Sequence, residues 1–139
     1  EHTVFESELV GILLSVDIIR ALPSCTSSAC ILLDSQEAIR AAAGDKAIES
    51  GRYLVEEIRI KIQTLMKEKG RRFQLRIQWV PGHERIEGNK QADRMAKEAT
   101  KSTGLSTPLF DHNSCLARPL PRSRAAVISK FKSVMMATW

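Results

Sequence analysis

A histidine in a predicted loop and an aspartate in the next predicted helix are the residues of this chain best suited to chemistry. His83 follows Pro81 and Gly82, a pair that must end the strand before it. Asp93 lies on the first turns of a segment rich in Ala, Lys, Glu and Met, a composition that predicts a helix. The pairing of a proton carrier with a carboxylate suggests hydrolysis rather than simple binding.

The segment that holds both residues, WVPGHERIEGNKQADRMAKEA over residues 79–99, resembles the ribonuclease H family. The resemblance is to the ribonuclease H domains of non-LTR retrotransposon polyproteins in particular. Two upstream segments match as well, with Glu8 in TVFESELVGIL and Asp34 in ILLDSQEAI. Three segments in the family's order, over roughly residues 1 to 100, make a far more specific signal than any one of them.

The resemblance implies an endoribonuclease that cuts the RNA strand of RNA–DNA hybrids by a mechanism with two Mg²⁺ ions. It assigns the metal to three carboxylates that converge at one edge of the sheet, Glu8, Asp34 and Asp93. Mg²⁺ is a hard ion that favours oxygen ligands and keeps several waters, so a few carboxylates suffice, and Mn²⁺ is the alternative ion. His83 then corresponds to the family's mobile histidine, which moves protons or helps product leave.

Each carboxylate also has a purely structural explanation. Asp34 precedes Ser35, a good N-cap, and Asp is common at a turn from strand to helix. Glu8 and Asp93 lie near the starts of predicted helices, where the helix dipole favours negative charge. Only the combined match makes these residues ligand candidates.

The residues that the resemblance assigns to nucleic acid are Gln36 and Asn89, although an exposed helix position explains Gln36 equally well. The chain also departs from the family's usual pattern. Arg85 stands where the family usually has glycine, and Lys90 and Arg94 stand where acidic residues are commoner. Added positive charge near a metal cluster opposes cation binding, so these departures bear on activity more than on fold.

Alternating predicted helices and strands indicate an α/β domain. The continuously apolar run Ala29–Leu33 is typical of a strand buried on both faces of a parallel sheet. The other predicted strand is Phe73–Val80, and the predicted helices are Glu6–Leu22, Gln36–Ala43, Arg52–Lys69, Lys90–Lys101 and Arg122–Thr138. We expect a ribonuclease H-like domain over residues 1–101, a Gly- and Pro-containing linker over 102–121 and a basic amphipathic helical tail over 122–139.

Two parallel strands alone make a poor independent sheet, so we expect part of the sheet to be missing. The resemblance implies that only the C-terminal part of the ribonuclease H-like fold is present. The resemblance implies a five-stranded sheet whose first three, antiparallel strands are missing, together with a catalytic aspartate that the first of them carries. No residue before Glu8 matches that aspartate. The strand Ala29–Leu33 should then have an exposed edge, which favours aggregation, and a well-behaved monomer in light scattering would count against it.

Length, charge and cysteines narrow the class of protein. A chain of 139 residues is the size of one ordinary domain. Residues 1–100 contain fifteen basic and fifteen acidic residues, whereas residues 101–139 contain six basic residues and one acidic, so the formal charge of +5 resides in the tail. That tail could hold phosphates or be a solvated helix face. No apolar run is long enough to span a bilayer, and the first apolar segment lacks the basic residues that we expect before a secretory signal. The three cysteines form no Cys-x-x-Cys pair, and their odd number leaves one unpaired in any disulfide scheme. We therefore expect reduced thiols in an intracellular protein, nuclear or cytoplasmic.

Three functions remain in view. The first is a ribonuclease H that serves reverse transcription of a retroelement, fused to or associated with a reverse transcriptase. The second is a catalytically inactive retroelement fragment that at most binds nucleic acid. The third is a related metal nuclease such as an integrase or a proofreading exonuclease, although the motif PGH…GN…AD is not typical of those enzymes.

Overall fold

The computed structural model describes residues 2–44, 50–82, 87–101 and 114–137. Within residues 87–101, the side chains of residues 87, 89, 93, 96 and 99–101 lie outside that description. The helices are α1 (Val4–Ala21), α2 (Gln36–Ala43), α3 (Arg52–Lys69), α4 (Glu87–Lys101) and α5 (Arg124–Ala137). The strands are β1 (Ser28–Leu33) and β2 (Gln74–Trp79), and a short 3-10 turn spans Cys115–Ala117.

The two strands form a parallel pair in which Ser28 lies opposite Gln74 and Leu33 lies opposite Trp79. Because the strands are parallel and in this register, both carboxyl ends reach the same edge of the sheet. The predicted α/β class and the two parallel strands with flanking helices are therefore confirmed. The three further strands that the resemblance implies stay a prediction.

Burial of β1 differs from the prediction. Ile31 and Leu33 are buried, but Cys30 is exposed and Leu32 keeps 53% of its surface accessible. The prediction of burial on both faces was wrong because, in the described part of the chain, helices cover only one face of this sheet. The outer edge of β1 also carries no partner strand among the described residues.

The core lies between α1, α3 and the covered face of the sheet. Its fully buried large side chains come from the apolar stripes of the two long helices, namely Leu9, Ile12, Leu13, Val16, Leu54, Ile58 and Leu65. A nearly buried ion pair joins the same helices, since Lys61 Nζ lies 2.6 Å from Asp17 Oδ1. The apolar faces of both helices are thus buried, and they hold α1 against the sheet.

Helix α1 begins at Val4 rather than at the predicted Glu6, because Thr3 and Glu6 form a capping box. The Thr3 hydroxyl accepts from the backbone N–H of Glu6, and the Glu6 carboxylate accepts from the backbone N–H of Thr3 at 2.8 Å. This reciprocal pair satisfies donors that a helix start otherwise leaves open. It fixes the first turn of the helix and, with it, the position of Glu8 one turn later.

The C-terminal segment contacts the core through polar side chains. Glu57 of α3 accepts from the Ser114 hydroxyl at 2.6 Å and from the backbone N–H of Cys115. Ser123, which precedes α5, lies 3.3 Å from the hydroxyl of Ser50. Every described side chain of α5 except the half-buried one of residue 126 is exposed, including its apolar residues. The division into domain, linker and tail stays a prediction.

None of the described helices is both long enough and apolar enough to cross a membrane.

Candidate metal-binding site

Asp34 stands at the carboxyl end of β1, between the strand and α2. Its side chain is exposed and accepts no hydrogen bond from a described residue. The N-cap of α2 is Ser35, whose hydroxyl accepts from the backbone N–H of Ala38 at 3.2 Å. Capping therefore does not occupy the Asp34 carboxylate, which leaves it available to a ligand.

Glu8 lies in the second turn of α1, half-buried, and its carboxylate likewise has no hydrogen-bond partner among the described residues. Burial raises the pKa of Glu8 above its ordinary value, and the negative charge of Asp34 raises it further. The second effect means that the two carboxylates lie close enough to interact electrostatically. The structure thus brings together two of the three predicted metal ligands, and we call Glu8 and Asp34 the carboxylate pair.

The end of β2 encloses Asp34 from the other side. The backbone N–H of Val80 donates to the carbonyl of Leu33 at 2.8 Å, which extends the parallel ladder beyond the strand. The indole N–H of Trp79 donates to the carbonyl of Asp34 at 3.1 Å. A Cβ atom built on Gly82 would overlap Oδ2 of Asp34 and would stand 3.0 Å from its Cβ and Cγ. The strand-ending loop therefore lies directly against the carboxylate.

The carboxylate pair suits a hard divalent cation. Two carboxylates with no partner in the described part of the chain repel each other, and a cation between them would replace that repulsion with attraction. No third His, Cys, Asp or Glu side chain joins them in the described ranges, which omit the side chain of Asp93. The donor set present therefore fits part of a Mg²⁺ site.

A second carboxylate of α1 behaves differently. Glu6 is only 2% exposed, and its oxygens accept from Thr3 and from the Ser50 hydroxyl. Burial alone would raise the pKa of Glu6, but hydrogen bonds from Thr3, Ser50 and Ser123 outweigh it and lower the pKa. We call Glu6, Thr3, Ser50 and Ser123 the capping cluster. Because its carboxylate is saturated with donors, this cluster is structural.

The structure describes the remaining predicted site residues only in part. His83 lies outside the described residues. Asp93 and Asn89 lie on the first two turns of α4, but their side chains are outside the description, so their roles as metal ligand and nucleic-acid contact stay predictions. Gln36 is exposed at the first turn of α2, beyond Asp34.

Sequence reasoning overlooked two residues beside the pair. Trp79 and Gly82 were considered only as the end of a strand and the break after it, yet both touch Asp34. The predicted parallel pairing of the two strands was a signal for these contacts. If β2 pairs in parallel with β1, a side chain at the end of β2 lies beside the residue that follows β1.

Comparison with known protein families identifies the family of this chain. The family model described as RNase H matches residues 6–101, the span that contains Glu8, Asp34 and β2. No curated protein matches the sequence, and no solved structure matches it.

Proposed function

This chain belongs to the ribonuclease H family, and from that premise we propose that it hydrolyses the RNA strand of RNA–DNA hybrids with Mg²⁺. The observation that carries the proposal is the carboxylate pair, two carboxylates 26 residues apart in the chain that interact electrostatically and have no hydrogen-bond partner among the described residues. A purely structural role does not account for like charges held together at the mouth of a sheet. A carboxyl group with a perturbed pKa beside a second charged group is typical of functional sites.

In the proposed mechanism, Glu8, Asp34 and Asp93 hold the cations, with Mn²⁺ able to replace Mg²⁺. A pair of such ions supplies an activated water and stabilises the attacking and leaving oxygens of the phosphodiester. The chain's own contribution is to hold the carboxylates in place, since the core fixes Glu8 on α1 and the end of β1 fixes Asp34. His83 moves a proton to or from the reacting groups.

Recognition of the hybrid is proposed to depend on backbone shape and 2′-hydroxyl groups rather than on base sequence. Gln36 is exposed on the first turn of α2, beside Asp34 in the chain, where it could contact a strand held at the carboxylate pair. Asn89 is proposed as a second contact from α4. Exposed basic residues of α5, among them Arg124 and Lys132, would hold phosphates without reading sequence.

The biological setting that we propose is reverse transcription of a retroelement, in which the domain removes the RNA template beside a fused or associated reverse transcriptase. The resemblance of residues 79–99 to non-LTR retrotransposon domains supports this setting. Genomic sequence upstream of the coding region tests it. A reverse transcriptase in the same reading frame would support the setting, and an unrelated cellular gene would contradict it.

Cleavage of a labelled hybrid in Mg²⁺ tests the proposed activity. We expect the chain to cut the RNA strand of the hybrid but not a DNA duplex, and we expect Asp34→Asn to abolish cutting. Glu56→Gln is the matched control, because it removes one negative charge from an exposed carboxylate of α3, far in the sequence from the site. Binding without cleavage, or equal cleavage by Asp34→Asn and the original chain, would contradict the proposal and favour the inactive fragment.

A further inference from the structure

Trp79 is the last residue of β2, and its indole makes one specific polar contact. The ring nitrogen Nε1 donates to the backbone carbonyl of Asp34 at 3.1 Å, across a separation of 45 residues in the chain. The side chain is 44% exposed, so burial of the ring explains little of its placement. The hydrogen bond, rather than the core, is what ties this tryptophan to the site.

That contact acts on the backbone from which the Asp34 carboxylate projects. The carbonyl of Leu33 is already held by the backbone N–H of Val80, and the carbonyl of Asp34 is held by Trp79. On its other side, Ser35 caps α2. Two consecutive carbonyls with fixed partners, followed by a capped helix, restrict the rotation of the peptide planes on both sides of Asp34.

Gly82 completes the arrangement from the side of the carboxylate. A Cβ atom at this position would overlap Oδ2 of Asp34, so the loop can lie against the carboxylate only because residue 82 has no side chain. Gly82 does not have a positive φ angle, so space rather than backbone conformation requires the glycine. Trp79 and Gly82 therefore contact the backbone and the carboxylate of the same residue.

We propose that Trp79 is a positioning residue, whose indole N–H holds the Asp34 backbone and thereby fixes the place of its carboxylate in the pair with Glu8, while Gly82 leaves the space that the carboxylate needs. The proposal rests on the proposed function only in taking the carboxylate pair as a cation site. Trp79 touches neither the cation nor the substrate in this role. It acts through Asp34.

Replacement of the indole N–H tests the proposal. Trp79→Phe keeps an aromatic ring and removes the donor, and 3-benzothienylalanine at the same position keeps the full ring size and removes only the N–H. The matched control is Thr64→Val, which removes a side-chain donor to the Ile60 carbonyl on α3 at nearly constant size. The measurements are Mn²⁺ affinity by calorimetry, the backbone carbonyl resonance of Asp34 by NMR, and chemical unfolding.

We expect both Trp79 variants to bind Mn²⁺ about three- to tenfold more weakly, the effect of one lost neutral hydrogen bond. The carbonyl resonance of Asp34 should move in the same variants, and Gly82→Ala should weaken Mn²⁺ binding further. Thr64→Val should change neither measurement. If Trp79→Phe does not fold, the benzothienyl variant alone decides the result.

The proposal would be overturned if a folded Trp79 variant kept both the original Mn²⁺ affinity and the original Asp34 carbonyl resonance. Failure of the proposed function gives a different result. In that case the original chain binds no Mn²⁺, while the Asp34 resonance still moves in the Trp79 variants if the indole positions the backbone, and stays fixed if it does not.

Discussion

Glu6 and Glu8 lie two residues apart on α1, and their pKa values move in opposite directions. Two residues correspond to roughly 200° around a helix, so the two side chains point to nearly opposite sides of α1. Glu6 enters the capping cluster, where hydroxyl and backbone donors saturate it. Glu8 enters the carboxylate pair, where its neighbour is a second negative charge.

The contrast separates structural from functional carboxylates on one helix. A carboxylate with several donors stabilises the fold and has nothing left to offer a ligand. A carboxylate that lies near a second carboxylate and accepts no hydrogen bond destabilises the fold slightly. It is also the carboxylate that a bound cation stabilises most. Asp17, the third carboxylate of α1, is bound by Lys61 and belongs with Glu6.

Removing the charge of Glu8 should affect activity much more than stability. We expect Glu8→Gln to lower the rate of Mg²⁺-dependent hybrid cleavage at least about 100-fold, since a metal ligand supports several kcal/mol of transition-state stabilisation. Its free energy of unfolding should stay the same or rise, because repulsion from Asp34 disappears. Single-turnover cleavage and urea unfolding check the two parts, and a large loss of stability would place Glu8 among the structural carboxylates.

The same change at Glu6 should give the reverse pattern. Glu6→Gln turns one acceptor into a donor that must face Thr3 or Ser50, and we expect a loss of about 1–3 kcal/mol in the free energy of unfolding. Cleavage per folded molecule should stay within about twofold of the original, since Glu6 lies outside the carboxylate pair. An unchanged urea midpoint would show that the capping cluster contributes no net stability.

The pH dependence of stability should carry opposite contributions from the two regions. Hydrogen bonds that outweigh burial lower the pKa of Glu6, so its contribution is present above the unfolded-state pKa and is lost as the pH falls below about 4.3. The pKa of Glu8 is raised, so protonated Glu8 favours the folded state and that contribution is lost as the pH rises above about 4.3.

Urea unfolding between mildly acidic and neutral pH checks these signs. Relative to the original chain, Glu6→Gln should lose less stability on acidification, and Glu8→Gln should gain stability at neutral pH. Identical pH profiles in the three proteins would mean that neither carboxylate changes its pKa on folding.

The smallest effect concerns Glu57, a third saturated carboxylate. Burial, followed by the hydrogen bond to Glu57 and the charge of Glu57, raises the pKa of Cys115 to about 12. We therefore expect iodoacetamide at neutral pH to modify the exposed Cys25 and Cys30 before Cys115. Glu57→Gln should speed modification of Cys115 about tenfold, the effect of roughly one pKa unit. Mass spectrometry of the peptides measures this, and equal rates at the three cysteines would contradict it.

Periodicity in the sequence predicted the two strands and the long helices, because apolar stripes such as Leu54, Ile58 and Leu65 must be buried somewhere. Helix starts were less accurate. The capping box formed by Thr3 and Glu6 was readable as a pattern and was overlooked. The predicted burial of both faces of β1 was wrong, since Leu32 stays largely exposed. A continuously apolar run does not reveal whether helices cover one face of a strand or both.

The family motifs named candidate metal ligands, whose role stays a prediction, and they missed residues whose role depends on contact. Glu8 and Asp34 came from the family resemblance, and the structure brings them together. The contacts of Trp79 and Gly82 with Asp34 could not be read from residue type, since they follow from the register of β2 against β1. Local sequence carries propensity, whereas the neighbours of a side chain depend on the packing of distant segments.

A Mg²⁺ titration followed by NMR of the side-chain carboxyl carbons tests whether Glu8 and Asp34 bind the same cation. We expect the resonances of Glu8 and Asp34 to move together with one shared dissociation constant, while that of Glu6 does not move. Independent responses of Glu8 and Asp34, or a response at neither, would contradict the claim that the two carboxylates share a cation.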